Sequence, residues 1–204
     1  MPRTSGQPVF VLVTRAAAQR YCAVVLIVHA GNRIDAPDRA EPRFPASQVG
    51  AVAQRVGRLL DVMQPAGVVS APAAGADLIV LDEARRRSIP LHVFLPIEVD
   101  EFVRVSVADH DSEWLGLFEA VMDHARDDAR SSVYRGDADA QSDWYLEAHR
   151  GLLGHVIGLA AGDLVVALTV RPPAGETPHS ATDVFADRAG RAGLIVLTVD
   201  PRPN

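Results

Sequence analysis

The chain has 204 residues, of which 48% are apolar and 23% are charged, and its formal net charge is −6 at pH 7. These proportions are typical of a globular domain, and they exclude a disordered chain and a fibrous repeat. The acidic net charge argues against a nucleic-acid partner. All 20 basic residues are arginines, which excludes a P-loop lysine and Schiff-base chemistry.

Metal, cofactor and membrane motifs are not expected. Cys22 is the only cysteine, so neither an intramolecular disulfide nor a cysteine-based zinc cluster can form. His149 and His155 are six residues apart, which places them on different faces of a helix. The longest apolar run, Ala23–Val28, is far shorter than the ~20 residues of a bilayer span, and Met1–Pro8 lacks a signal-peptide pattern. We expect a cytoplasmic protein without cofactors, metals or membrane contact.

Short apolar runs alternate with helical patterns in the first half of the chain. Ala23–Val28 is continuous and β-branched, as in a strand buried on both faces. Apolar residues then recur at three- and four-residue spacings, which predicts a helix that begins at about Ser47 and is stopped by Pro65. The next predicted elements are a strand Gly67–Ser70, a helix Ala76–Arg87, a strand Leu91–Leu95 and a helix around Trp114–Met122.

The second half continues this alternation after a polar stretch. Within that stretch, Ser131–Tyr134 fits either an edge strand or a loop. Apolar and aromatic residues then predict a long helix over Trp144–Ile157, although Gly151 and Gly154 weaken the pattern. The remaining elements are a buried strand Leu164–Thr169, a helix Ser180–Ala192 and a second buried strand Leu194–Val199.

This order of elements predicts the fold class. Strands separated by helices of this length need parallel crossovers, and right-handed crossovers place helices on both faces of the sheet. We therefore predict an α/β, doubly wound, mostly parallel sheet of five to seven strands in a three-layer sandwich. Residues 23–200 are expected to form one domain, and residues 1–22 an extension or an edge strand over Val9–Val13.

In such a sheet, a ligand binds where the carboxyl ends of the strands meet the amino ends of the following helices. Helix amino ends offer free N–H groups and partial positive charge, which suit a phosphate or a carboxylate. We expect Gly31, Gly75 and Thr182 to converge on one anion-binding hollow. The ligand-binding residues predicted along this rim are Gly31, Asn32, Arg33, Arg43, Ser70, Ala71, Gly75, Ala76, Asp77, Pro96, His179, Ser180 and Thr182.

Each of these segments also has a purely structural interpretation. Small residues between Ser70 and Asp77 fit a tight strand-to-helix turn, with Asp77 complementing the helix dipole. Arg33 and Arg43 fit solvated loop arginines as well as a guanidinium fork that faces phosphate. His179 precedes Ser180 and Thr182, either of which is an ordinary helix cap. The residue types alone leave both interpretations open.

Three segments resemble the SLOG superfamily, which includes the Lonely Guy phosphoribohydrolases and the core of DNA-processing protein A. Gly31–Pro37 with Pro42–Pro45 is similar to the Gly-His-x-Ile-Asp-x-Pro…Pro-Arg-Phe-Pro signature of a bacterial subgroup. Val68–Asp77 is similar to the family's strand, small-residue loop and Gly-x-Asp turn, and the stretch from Leu91 to Val107 also fits the subgroup. The resemblance implies a Rossmann-like fold that binds nucleotides or nucleotide derivatives, with phosphates against these loops.

The chain also departs from that family. Relatives carry a Gly-Gly-Thr turn where this chain has Pro178–Phe185, and the phosphoribohydrolase glutamate has no counterpart here. Breaking an N-glycosidic bond needs a carboxylate that stabilises the developing charge or activates water. We therefore expect a non-catalytic sensor or regulatory domain that binds a nucleotide-like ligand.

Two alternatives remain open. The first is an N-glycoside hydrolase acting on a nucleoside monophosphate or a related nucleotide. The carboxylates available to such an enzyme are Asp77, Glu83, Asp100, Glu101 and Asp183. The second is an interaction or scaffold domain with a degenerate ligand site, which would dock through Arg126–Asp143. Self-association to a homo-oligomer through the Trp144–Ile157 helix is compatible with any of these functions.

Overall fold

The computed structural model describes residues 24–36, 39–108, 112–136, 144–173 and 180–203. The strand predicted over Val9–Val13 and the predicted site residue His179 lie outside these ranges. The structure therefore tests neither of those two predictions.

A single six-stranded sheet lies at the centre of the fold. The strands run in the order β4-β3-β2-β1-β5-β6, and every neighbouring pair is parallel. This arrangement confirms the predicted α/β, doubly wound, parallel architecture. The strands are β1 Val25–Gly31, β2 Gly67–Ser70, β3 Leu91–Leu95, β4 Ser132–Arg135, β5 Leu164–Val170 and β6 Ile195–Val199.

Helices cover both faces of the sheet. Helices α1, α2 and α4 lie on one face, α5 and α6 lie on the other, and α3 lies beside the carboxyl ends of the strands. A short 3-10 turn, Ala46–Gln48, leads into α1. The helices are α1 Val49–Met63, α2 Ala76–Arg86, α3 Val99–Ser106, α4 Ser112–Asp127, α5 Trp144–Ala160 and α6 Ala181–Arg191. Within the described ranges, none of them is both long and apolar enough to cross a membrane.

The predicted burial of the strands is confirmed at the centre of the sheet and wrong at one edge. Residues of β2 and β3 are buried along their whole length, because helices pack on both faces. The run Leu194–Val199 was expected to be buried as well, but β6 is an edge strand and its Ile195 is 54% exposed. The segment Ser131–Tyr134 overlaps β4, the edge strand at the opposite side, rather than a loop.

Successive strands are added to the sheet in opposite directions on the two sides of β1. From β1, successive strands are added towards β4, whereas β5 and β6 are added on the other side of β1. The connections that leave the carboxyl ends of β1 and β5 therefore diverge, and a crevice opens between them. Ligands of doubly wound sheets bind at such a topological switch point.

Candidate functional site

A cavity of about 450 Å³ lies at this switch point. We call it the switch-point cavity. It brings together the loop after β1, the small-residue turn after β2, one face of α5 and the start of α6. The described residues that line it are Ala30, Gly31, Asn32, Arg33, Ile34, Asp35, Ala36, Arg39, Arg43, Ala71, Ala73, Asp77, Phe102, Ala148, His149, Leu152, Ser180, Ala181 and Thr182.

Most of the residues predicted for the site contribute to this wall. They are Gly31, Asn32, Arg33, Arg43, Ala71, Asp77, Ser180 and Thr182. Three predicted residues, Ser70, Gly75 and Ala76, are buried behind the wall, and Pro96 lies at the end of β3 beside Gly136. Of the three positions expected to converge, Gly31 and Thr182 line the cavity, whereas Gly75 does not.

Gly75 instead allows two segments of backbone to approach closely. Its φ is +111°, and a Cβ atom at this position would lie 2.5 Å from the backbone nitrogen of Ile34. Arg33 and Gly75 form an isolated antiparallel β-bridge, and the Ala76 N–H donates to the Asn32 carbonyl over 3.1 Å. The glycine therefore joins the start of α2 to the loop after β1.

A buried polar cluster holds Asp77 against β1. The Gly31 N–H donates to Asp77 Oδ1 over 2.9 Å, and His29 Nδ1 lies 3.3 Å from the same oxygen. His29 Nδ1 is also 3.1 Å from Ser70 Oγ. Burial raises the pKa of Asp77, while its contacts with His29 and Gly31 oppose that rise. The carboxylate is thus positioned by the sheet, and it makes one side of the cavity acidic.

Sequence reasoning did not assign His29 a role in this cluster. A signal was available, because His29 is a polar residue that directly follows the apolar run Ala23–Val28. It is fully buried. Buried polar side chains inside a strand need partners. Here they are Ser70 at the end of β2 and Asp77 in the first turn of α2.

The cavity wall also carries arginines. Among the described residues, the Arg43 guanidinium makes neither an ion pair nor a hydrogen bond, although it lines the cavity and is half-buried. Burial and the nearby Arg39 charge lower its pKa, while Asp35 and Asp183 oppose this shift. Arg39 lies 3.3 Å from Asp35, and Arg33 donates to the Val105 carbonyl over 3.3 Å. Arg43 is therefore a desolvated cation without a direct counter-charge in the described chain.

Helix α6 begins at the cavity with a capping box. Ser180 Oγ accepts from the Asp183 N–H, and Asp183 Oδ2 accepts from the Ser180 N–H over 2.7 Å. Asp183 Oδ1 also accepts from Arg171 Nη1 over 2.8 Å. Ala181 and Thr182 then form the first turn at the cavity wall, where helix N–H groups have no partner within the helix. This helix end suits an anion.

Comparisons with known proteins add a structural likeness. No protein-family model matches the sequence, and no curated protein matches it. Among solved structures, the chain is similar to the X-ray structure of DNA processing protein A (DprA) from Streptococcus pneumoniae, at 9% sequence identity and a TM-score of 0.34. The match covers 87% of this chain, and this chain spans 59% of that structure.

Replacing Asp183 by alanine is expected to destabilise the protein by about 2 kcal/mol, because it removes the capping box and the partner of the largely buried Arg171. Urea unfolding followed by circular dichroism measures this change. Asp187→Ala is the matched control on the same helix, since Asp187 makes only an exposed ion pair with Arg191, and it should change stability by less than about 0.5 kcal/mol. Equal losses in the two variants would contradict the assigned role of Asp183.

His149 is a second cavity residue that sequence reasoning left without a function. It lies on α5, is 8% exposed, and its ring centre is 5.4 Å from that of Phe185. Burial, with a smaller contribution from the positive charge of Arg188, lowers the pKa of His149 to about 4. The imidazole is therefore neutral at pH 7.

The pH dependence of stability should show this shift. Because the folded-state pKa of His149 lies below the unfolded value of 6.5, the unfolded chain takes up the proton first as the pH falls. The contribution of His149 to stability is thus complete above pH 6.5 and declines by up to about 3 kcal/mol towards pH 4. Unfolding of wild-type and His149→Phe protein across this range measures it. The variant should show the shallower loss, and identical pH profiles would contradict the prediction.

The carboxylates considered for hydrolysis are separated by the fold. Asp100 is exposed, Glu101 pairs with Arg104 on the exposed side of α3, and Glu83 pairs with Arg87. Asp183 caps α6, and its negative charge opposes the lowering of the Arg43 pKa. Of the five candidates, Asp77 is the one that lines the switch-point cavity. Among the described residues, no group of three or more histidine, cysteine or acidic side chains could hold a metal ion.

Proposed function

We propose that the switch-point cavity binds a nucleotide or nucleotide derivative without converting it, and that the protein is a ligand sensor or regulatory domain. The observation that carries this proposal is Arg43, a half-buried guanidinium in the cavity wall with no ion pair within the described chain. A desolvated cation gains most from an anion, and a guanidinium fork matches the geometry of phosphate.

The charges around the cavity support a ligand with two different ends. Arg43 lies near Asp183 and the first turn of α6, whereas Asp77 lies with His29, Arg33 and the start of α2. Phosphate is favoured at the Arg43 side, where Ala181 and Thr182 offer helix N–H groups. Hydroxyl donors are favoured at the Asp77 side, because a carboxylate accepts hydrogen bonds from a ribose. A nucleoside phosphate carries both kinds of group.

The size of the cavity and the sequence motifs agree with this ligand class. A volume of about 450 Å³ lies within the ~300–1,000 Å³ range of small-molecule sites. The described motif residues 31–36 and 42–45 lie at and after the end of β1, and residues 68–77 comprise most of β2 and the turn into α2. As part of the proposal, we assign the chain to a divergent bacterial branch of the SLOG superfamily, acting in the cytoplasm.

Isothermal titration calorimetry tests the proposal. The panel consists of AMP, GMP, CMP and UMP, a cyclic dinucleotide, NAD and ADP-ribose, each titrated into the wild-type protein. We expect at least one of them to bind with a dissociation constant below about 1 mM and to raise the melting temperature. Absence of binding across the panel at millimolar concentration would refute the proposed function.

A second candidate function, hydrolysis of the N-glycosidic bond of a nucleoside monophosphate, rests on Asp77 in the cavity wall. Its raised pKa and its position beside the cavity are features of a carboxylate with a general acid or base role. Chromatography of AMP incubated with the protein decides between the candidates. Release of adenine that is abolished in Asp77→Asn would support the hydrolase, and intact AMP that remains bound would support the sensor.

A further inference from the structure

Two polar side chains in the wall of the switch-point cavity are buried without hydrogen-bond partners in the described chain. They are Asn32, whose Nδ2 has no acceptor, and His149, whose Nδ1 has no partner. Both residues are more than nine-tenths buried, with exposures of 7% and 8%. Leaving a buried polar group unsatisfied costs about 1–3 kcal/mol, so such groups in a ligand cavity indicate hydrogen bonds that the ligand supplies.

The Asn32 amide is held in place by its own backbone. Its N–H donates to the Val170 carbonyl over 2.9 Å, and its carbonyl accepts from the Ala76 N–H over 3.1 Å. These two bonds fix Asn32 between β5 and the start of α2. His149 is held separately, by α5 and by its ring contact with Phe185. Two polar residues from distant parts of the chain, each held by rigid elements, therefore line one cavity, which is how a specific recognition site is built.

The chemistry of this pair suits an uncharged ligand group. An asparagine amide both donates and accepts, and a neutral imidazole has one donor nitrogen and one acceptor nitrogen. The neighbouring wall residues Ala30, Ala148 and Leu152 are apolar. Apolar surface next to neutral donors and acceptors fits a flat heteroaromatic ring with a hydrogen-bonding edge. These three neighbours carry no positive charge that would bind a phosphate. The positive charge of Arg43 lies elsewhere in the wall.

We infer that Asn32 and His149 bind the hydrogen-bonding edge of a nucleobase, while the apolar side chains of α5 and β1 contact its face. This inference rests on the proposed function, which assigns the phosphate to Arg43 and the start of α6. It makes Asn32 and His149 the specificity-determining residues of the cavity. Neither residue is needed to hold the ribose phosphate part of the ligand.

Calorimetry with and without the base tests the inference. AMP, GMP, CMP and UMP are compared with ribose 5-phosphate, which has the same phosphate and sugar but no base. We expect at least one nucleotide to bind the wild-type protein about 10-fold or more tightly than ribose 5-phosphate does. Asn32→Ala and His149→Phe should each weaken that nucleotide about 10-fold and leave the affinity for ribose 5-phosphate unchanged.

His155→Phe is the matched control, because His155 is a second histidine of α5 that contacts Tyr134 and is not among the described residues of the cavity wall. It should alter neither affinity. Thermal unfolding checks that each variant is folded, and the comparison of the two ligand types on the wild-type protein needs no variant.

The outcomes separate the two proposals. If ribose 5-phosphate binds the wild-type protein as tightly as all four nucleotides, the inference is overturned while the proposed function stands. The inference is also overturned, and the proposed function retained, if Asn32→Ala and His149→Phe lower the affinities for the nucleotide and for ribose 5-phosphate equally. If neither the nucleotides nor ribose 5-phosphate bind at millimolar concentration, the proposed function fails, and the inference fails with it.

Discussion

Replacing Arg43 by methionine is expected to weaken binding of AMP and of ribose 5-phosphate by about 10- to 100-fold. Methionine keeps much of the apolar stem but removes the charge and all five donors. Hydrogen bonds to charged groups contribute about 1.5–3 kcal/mol, which corresponds to this range of dissociation constants. The loss should also shrink as salt concentration rises, because screening weakens the wild-type attraction for phosphate. Calorimetry at two ionic strengths measures both effects.

Arg58→Met is the matched control for Arg43. Arg58 lies on α1, is exposed, and has no ion pair or hydrogen bond among the described residues. It is not part of the described cavity wall. Its replacement should change ligand affinity by less than twofold. Comparable losses in both variants would mean that removing any positive charge weakens binding, and that there is no specific phosphate site at Arg43.

Replacing Gly75 by alanine is expected to destabilise the protein by about 2–5 kcal/mol. A left-handed backbone conformation costs about 1–2 kcal/mol for a residue with a Cβ, and forcing atoms into a packed region typically costs a further 1–3 kcal/mol. The atoms that the new methyl group would meet belong to the backbone of Arg33 and Ile34. They cannot move without breaking the bridge that joins α2 to the loop after β1. Urea unfolding measures the loss.

Gly162→Ala separates the two contributions. Gly162 has a similar φ of +103°, but a Cβ atom there would meet nothing within 4 Å. This variant should be destabilised by only about 1–2 kcal/mol, which is the cost of the backbone conformation alone. If Gly75→Ala is no more destabilising than Gly162→Ala, then the close approach at Gly75 is relieved without cost and is not a constraint on the site.

The central elements of the fold could be predicted from local patterns. The bounds of β2 and β3 agree with the predicted strands Gly67–Ser70 and Leu91–Leu95, because continuous apolar runs occur where a strand is covered on both faces. The same reasoning was wrong for Leu194–Val199. An apolar run shows that a segment is compatible with burial, but whether a neighbouring strand or helix covers it depends on its place in the sheet order.

The loops of the candidate site could be predicted for a different reason. In a parallel sheet, the segments after β1, β2 and β5 must leave from the same edge, so residues such as Gly31, Ala71 and Thr182 are brought near one another by topology. His149 could not be found in this way. It comes from the interior of α5, and only the crossing of this helix over the centre of the sheet turns it towards the cavity.

The amino-acid sequence by itself determined the alternation of strands and helices, and hence the parallel sheet, because side-chain periodicity and crossover geometry are local or nearly local properties. The tertiary structure alone decided which charges are compensated. Asp77 is engaged by His29 and Gly31, and Asp183 by Arg171, whereas Arg43 receives no partner within the described chain. Pairing of this kind depends on distances of a few ångströms between segments far apart in the chain, and those distances are set by packing.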